Sequence, residues 1–403
     1  MKKVSKILII IMTIATFCGC EKKVLPKDCS EGTHPEFIEE EQEKHENEND
    51  LLKTIMEEMT VREKVGQLFF VRPDAVDPDI TPEEIADSSS DGSKMITDKM
   101  AEMYREYPAG GFVIFGKNIS DPEQLKELIV GLHDLNSVRP LICVDEEGGW
   151  VARIANSGVF EVPVFPNMQT IADSGDVGSA YELGKTIGGY LKELGFDVDF
   201  APVADVNTNP DNPIIGERAF GSDPQLAGRM VAGVLDGLHS QGIMGCIKHF
   251  PGHGDTVTDT HTGYAETLKD WNEIRNCELI PFCDGIDADT DMIMAAHIAV
   301  PNVTGSSEPS SMSYEMLTEK LRGEIGYDGL IITDALAMEA IHEKYNSAEA
   351  AVKAFTAGAD ILLMPYDYPE AFEGVLGAVE SGEITEDRLD ESVYRILSAK
   401  YGK

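Results

Sequence analysis

Met244-Gly245-Cys246-Ile247 runs directly into Lys248-His249-Phe250-Pro251-Gly252-His253-Gly254-Asp255-Thr256-Val257-Thr258-Asp259-Thr260-His261. A short apolar run followed by fourteen residues holding three histidines, two aspartates, a lysine and two glycines has the pattern of a strand that feeds a functional loop. Gly252, Gly254 and, just beyond, Gly263 give such a loop access to unusual backbone angles, so that it can close over a substrate.

The same arrangement, an apolar run ending on a polar group, recurs on both sides of this stretch. Val65 to Val71, Gly111 to Phe115, Leu141 to Val144, Val198 to Val203, Met244 to Ile247, Met292 to Ala296, Leu330 to Thr333 and Asp360 to Met364 make eight strand candidates. Most are near-continuous Val, Ile, Leu and Met, as parallel strands covered on both faces require. Between them, Gln225 to Ser240, Ser313 to Ile325 and Ser347 to Ala357 carry helical spacing and are followed by Gly242, Gly326 and Gly358. Eight β-α units in about 340 residues predict an α/β chain folded as a single (β/α)8 barrel of the TIM type, with chemistry at the C-terminal ends of the strands. A doubly wound open sheet is the alternative that the pattern leaves. Just past the strands stand Asp145, Asp205, Lys248-His249, His297, Asp334 and Pro365. The Asp-rich segment from Pro73 to Lys94 reads as a long loop after the first strand, and no internal repeat is visible.

The chain has 403 residues and a formal charge of −39. That charge argues against nucleic acid as a partner and disfavours a strongly anionic substrate. Met1-Lys2-Lys3, an uncharged run from Ile7 to Phe17, and Cys18-Gly19-Cys20 describe an export signal over residues 1–19. The order resembles a bacterial lipoprotein signal, with Phe17 where Leu is more usual, and Cys20 would then carry a lipid that tethers the protein to the outer face of the membrane. An ordinary cleaved signal, with Cys20 a bystander, is the alternative. Residues 20–50 read as an acidic flexible tether and 51–403 as the catalytic domain. Of the remaining cysteines, Cys143 and Cys246 lie in apolar runs and read as buried small hydrophobes, Cys277 and Cys283 stand close enough in sequence to pair, and there is no CxxC for a zinc ribbon.

Asp334 follows Leu330-Ile331-Ile332-Thr333, so its carboxylate should project into the barrel mouth. Glycoside cleavage with retention needs a carboxylate that attacks the anomeric carbon and later leaves, and Asp334 is placed for that; the plainer reading is a helix N-cap. His261 lies two residues past Asp259, close enough for the carboxylate to hold the imidazole tautomer, and such a pair can protonate a leaving oxygen and then deprotonate the incoming nucleophile. The plainer reading there is a stabilised loop. His253 reads as structural, and His297 either buttresses Lys248 or touches substrate.

Several motifs carry a resemblance: Val61-Arg62-Glu63-Lys64-Val65-Gly66-Gln67, Gly110-Gly111-Phe112-Val113-Ile114-Phe115-Gly116, Val144-Asp145-Glu146-Glu147-Gly148-Gly149, Asn209-Pro210 with Ile215-Gly216-Glu217-Arg218-Ala219-Phe220-Gly221, the Lys248 to His261 stretch, and Ile332-Thr333-Asp334-Ala335-Leu336. In this order the chain resembles the β-N-acetylhexosaminidase branch of family 3 glycoside hydrolases. The resemblance implies that Asp334 is the nucleophile, that Asp259 and His261 form the acid/base pair, that Asp145 binds sugar hydroxyls, and that Arg153, Arg218, Lys248 and His249 contact the same ring. Glu146 and Trp150 depart from the usual Gln and Arg, and Arg153 could instead serve a structural ion pair. In this branch the acid/base arrives on the barrel's own loop, whereas the glucosidase and xylosidase branches take it from a second domain, which is not expected here because the last helix ends at Lys403.

The resulting expectation is a retaining exo-β-N-acetylglucosaminidase acting on terminal GlcNAc of peptidoglycan-derived glycans. It should need no metal and no cofactor, bind an oligosaccharide and no nucleic acid, meet the membrane only through its lipid, and act as a monomer. The choice between water and phosphate as acceptor stays open. A family 3 β-glucosidase or xylosidase and a non-catalytic glycan-binding surface lipoprotein are the alternatives. A metal-dependent barrel hydrolase would need a His-x-His after the first strand, and Val71-Arg72-Pro73 has none.

Overall fold

In the computed structural model, which describes residues 49–256 and 265–402, the apolar runs become eight strands: β1 Phe69–Val71, β2 Gly111–Val113, β3 Leu141–Val144, β4 Val198–Asp199, β5 Met244–Phe250, β6 Met292–Ala295, β7 Leu330–Thr333 and β8 Leu362–Leu363. Each is parallel to its neighbour, in the order β7-β6-β5-β4-β3-β2-β1-β8. The seam between β7 and β8 is closed by a parallel bridge from Ile332 to Ile361 and by the Thr333 N–H on the Ile361 carbonyl at 3.0 Å. The open-sheet alternative is thereby excluded, and the expected (β/α)8 barrel is the fold. Strand residues are buried throughout, which is why the runs are continuous rather than alternating. Cys143 and Cys246 are among them, and burial pushes both thiols up. Cys277 is a free thiol, so the Cys277–Cys283 pairing is not made.

Helices α1 Asp98–Glu106, α2 Pro122–His133, α3 Val177–Leu194, α4 Pro224–His239, α5 Leu279–Asp287, α6 Glu315–Ile325, α7 Ser347–Ala357 and α8 Tyr368–Glu380 follow the strands in turn. Asp121, Asp223, Asn346 and Asp367 cap the N-termini of α2, α4, α7 and α8 through their side chains. Two of the expected elements shift. Val65 to Gln67 belongs to a helix, Val61–Gln67, because Thr60 and Glu63 form a reciprocal capping box that starts a helical turn there, leaving only Phe69–Val71 for β1. Conversely, β5 runs on to Phe250, since β6 offers paired backbone opposite Lys248 and Phe250. Lys248 and His249 therefore sit on a strand rather than on a loop.

The base of the barrel is closed by one repeated device. Asp197, Asp291 and Asp360 each precede an even strand, and each accepts a backbone N–H from the preceding strand: Ile142 at 2.9 Å, Gly245 at 2.8 Å and Ile331 at 2.9 Å. Cationic or titratable partners complete each one: His133 and Arg139 on Asp197, His239 on Asp291, and Arg322 and Arg395 on Asp360.

The segment after β1 is not an open loop. It forms a 3-10 turn at Pro73–Val76 and a helix at Pro82–Ala86. Buried Asp74 accepts the Ser93 N–H at 2.8 Å and the Asn118 side-chain amide at 3.2 Å, which pins both ends of the segment to the turn after β2.

Candidate active site

The C-terminal rim gathers charge from three successive strands. Lys248, near the end of β5, donates to Asp145 at 2.8 Å and lies 2.7 Å from Glu147, both of which follow β3. Arg218, on the connection after β4, clamps Glu147 through Nε at 2.8 Å and Nη2 at 2.6 Å. Burial opposes charge on Glu147, Arg218 and Lys248, yet the opposed charges win. Arg218 and Lys248 hold the Glu147 carboxyl far below its ordinary value, and Asp145 and Glu147 hold the Lys248 ammonium above its own. Glu147 has its oxygens consumed and serves to fix Arg218 and Lys248. Asp145 is more open, with its side chain 18% exposed and Arg153 at 3.7 Å, and it keeps acceptor capacity for a ligand. Arg153 also lies over the Phe115 ring at 5.2 Å.

The departures at Glu146 and Trp150 now have a location. Glu146 points away from this cluster into the protein, accepting the N–H groups of Ile154 and Ala155 and the Tyr190 hydroxyl, each at 2.8 Å. Two backbone donors and a hydroxyl demand more acceptor capacity than one amide oxygen provides, which favours Glu over Gln here. Trp150 stands 61% exposed at the turn between the short strands Glu146–Gly148 and Val151–Ala152.

A second cluster surrounds Asp205. Its carboxylate accepts the His249 N–H at 3.3 Å, the His249 Nδ1–H at 2.7 Å and the His253 N–H at 2.6 Å. Burial raises Asp205, but His249 and these bonds outweigh it and keep the group ionised. An ionised carboxylate accepts only, so the His249 proton lies on Nδ1 and Nε2 is left for a ligand. His253 pairs through Nδ1 with the Thr256 hydroxyl at 2.6 Å, while its buried Nε2 has no partner among the described residues. Gly254 has no alternative at its position, since a Cβ would stand 2.0 Å from the Val206 carbonyl oxygen.

Asp334 stands directly beyond β7. Its N–H donates to Ala295 of β6 at 2.8 Å and its Oδ1 accepts the Ala335 N–H at 2.8 Å. Burial raises the carboxyl, but His297, His249, the Ala335 N–H and Lys248 together bring it below the ordinary aspartate value. His297 does not buttress Lys248. Its Nε2–H donates to the Ala335 carbonyl at 2.9 Å, a bond that requires the proton on Nε2, and Nδ1 then accepts from the Ser311 hydroxyl at 2.6 Å. His297 thus holds the turn that carries Asp334.

The rim therefore presents an ionised carboxylate beside a lysine, an arginine, a histidine and an acceptor carboxylate, a set able to hold vicinal hydroxyls. The pattern "Glycosyl hydrolase family 3 N terminal domain" matches residues 60–399. The chain belongs to glycosyl hydrolase family 3. Among its family relatives, Beta-hexosaminidase A of Pseudoalteromonas piscicida is 34% identical over 330 residues, 75% of this chain and 55% of that protein. Beta-hexosaminidase of Pseudomonas aeruginosa is 33% identical over 297 residues, 73% of this chain and 86% of that protein. The solved family 3 beta-N-acetylglucosaminidase from Paenibacillus sp. str. FPU-7 superposes with a TM-score of 0.77 at 35% identity, over 85% of this chain and 62% of that one. The chain thus spans little more than half of the first of these relatives.

Asp145, Arg153, Arg218, Lys248, His249 and Asp334 are brought to one rim, while Asp259, His261 and Cys20 lie outside the described residues. Sequence reasoning passed over Glu147 and Asp205 as site members. Both had a signal: Glu147 lies two residues past Asp145 in the same motif, and Asp205 is itself one of the polar residues beyond a strand run.

Proposed function

We propose that this family 3 chain is a retaining exo-β-N-acetylglucosaminidase that removes terminal β-linked GlcNAc from peptidoglycan-derived glycans. The observation that carries it is Asp334: a carboxylate kept ionised at the end of β7, within the electrostatic reach of Lys248 and His249. The names of the relatives, hexosaminidases and a beta-N-acetylglucosaminidase, support the sugar. In the first step an Asp334 oxygen bonds to the anomeric carbon as the bond to the leaving oxygen breaks, and His261, paired with Asp259, protonates that oxygen. In the second, water gives its proton to the same pair and displaces Asp334. Asp145, Arg153, Arg218, Lys248 and His249 hold the ring. Residues 1–19 direct export, Cys20 carries the lipid, 20–50 form the tether, and 51–403 act as a monomeric catalytic domain.

Residues 21–403 should cleave an aryl β-N-acetylglucosaminide in strong preference to the aryl β-glucoside, with and without a chelator. A peptide containing Asp334 should gain the mass of one sugar during turnover. Equal or reversed preference would move the assignment to the glucosidase branch, and binding without turnover would make the chain a glycan-binding protein.

A further inference from the structure

Asn212 lies on the connection after β4, between Asn209-Pro210 and the 3-10 turn Gly216–Arg218, and it is buried. Its amide joins two separate stretches of backbone. Nδ2 donates to the His253 carbonyl at 2.8 Å and to the Thr256 carbonyl at 2.7 Å, while Oδ1 accepts the Ile214 N–H at 2.9 Å and the Ile215 N–H at 2.8 Å. A side-chain amide offers two protons and two lone pairs, so the group is saturated. The same count fixes its orientation, since the reversed amide would set NH2 against two N–H groups and oxygen against two carbonyls.

Each stretch carries a side chain of the rim. Ile214 and Ile215 lead into Arg218, whose N–H donates to the Ile215 carbonyl at 2.8 Å and whose Nη1 donates to the Ile214 carbonyl at 3.1 Å, while Nε and Nη2 reach Glu147. On the other stretch, His249 and the His253 N–H share the Asp205 carboxylate, and the Gly252 N–H donates to the His249 carbonyl at 2.8 Å. Neighbouring links reach only part of the way. The Thr208 hydroxyl donates to Asp255 at 3.0 Å and the Asn209 N–H to the Gly254 carbonyl at 3.2 Å. Among the described residues, Asn212 is the one side chain that bonds both to the His253–Thr256 turn and to the Ile214–Ile215 backbone.

We infer that Asn212 is a positioning residue that sets Arg218 and His249 relative to one another, so that both reach the same sugar ring. It acts through the two backbone stretches and not on the reacting atoms. The inference rests on the glycosidase reading of the rim. Releasing either stretch lets its side chain shift, and a displacement of about 1 Å is enough to lose an oriented contact.

The test measures kcat and KM for aryl β-N-acetylglucosaminide hydrolysis by residues 21–403, the inhibition constant of free GlcNAc, and the urea midpoint. Asn212→Ala removes both sets of bonds. Asn212→Ser keeps an oxygen that a hydroxyl turn can offer to the Ile214 N–H, but is too short for His253 and Thr256. Asn212→Ala should raise KM and the inhibition constant about tenfold with kcat within about threefold, and Asn212→Ser should raise both about threefold. In an Arg218→Lys chain the difference between the Ser and Ala variants should vanish, because that difference acts through Arg218. A lower urea midpoint with KM and the inhibition constant unmoved in both variants makes Asn212 a loop stabiliser and overturns the inference. So does a difference between Ser and Ala that persists in the Arg218→Lys chain, and both outcomes leave the glycosidase reading standing. If Asn212→Ala does not fold, Asn212→Ser decides alone, with unchanged KM and inhibition constant overturning the inference. Absence of aryl hydrolysis by the native chain removes the glycosidase reading and the inference with it.

Discussion

The two ends of the barrel use aspartate in opposite ways. At the base, Asp360 accepts Ile331 and Arg322 on one oxygen and Ser392 and Arg395 on the other, so its lone pairs are filled. At the rim, the one hydrogen bond that Asp334 accepts among the described residues comes from the Ala335 N–H. The base aspartates join strand to strand, and their charge is spent inside the protein. The rim carboxylate is ionised with one accepted bond among the described residues, so acceptor capacity remains on it. An aspartate at a strand end is thus diagnostic of function only when its hydrogen-bond ledger is left open.

The comparison breaks most visibly at Asp334. Asp334→Asn should lower kcat on an aryl β-N-acetylglucosaminide by at least about 10⁴-fold, with no loss in the urea midpoint, because an Asn Oδ1 still accepts the Ala335 N–H that Asp334 accepts among the described residues. A loss of stability with activity retained would reverse the assignment of the two ends. Asp360→Ala should do the reverse. It strands Arg322 and Arg395 and frees the Ile331 N–H, which should cost about 3–5 kcal/mol in urea unfolding, while kcat per folded molecule stays as in the native chain.

A sharper cut falls between the ends, at Glu146, a buried carboxyl that supports the rim without facing it. Glu146→Gln leaves one backbone donor of Ile154 or Ala155 facing an amide NH2, at a cost of about 1–3 kcal/mol. Since Arg153 adjoins those donors, KM should rise several-fold with kcat changed little; an unchanged KM would detach Glu146 from the site. The smallest effect is at the base. Burial pulls the Lys400 ammonium down to about 7, with Asp197 and Cys143 opposing, while its Nζ donates to Gln67 at 2.7 Å. In the unfolded chain the group titrates near ~10.4, so between those values the unfolded state binds more protons and stability rises with pH. Lys400→Met should flatten that part of the stability profile relative to the native chain, and an identical slope in both would place the titration elsewhere.

Much of this was legible before any coordinates. Asp334, Asp145 and Lys248 could be located because a run of buried apolar residues ends where a polar one begins, and in a barrel those ends share one face. The Thr60 and Glu63 box was equally legible and marks the helix that shortens β1. What could not be read was the role of Glu147 and Asp205, because whether a carboxylate faces a ligand or holds its neighbours depends on how many donors surround it.

By itself, then, the sequence determined the parallel strands, the helices between them and the side on which the reactive groups emerge, since these follow from periodicity and chain connectivity along short stretches. Only the tertiary structure decided that Lys248 lies on a strand between Asp145 and Glu147, that Glu146 faces inward, that the Pro73–Lys94 segment folds against the turn after β2, and that Asp360 is saturated at the base. Each of those depends on hydrogen-bond and packing partners outside the local repeat, from eight residues away at Glu146 to more than a hundred at Lys248, whose distances and directions no local pattern encodes.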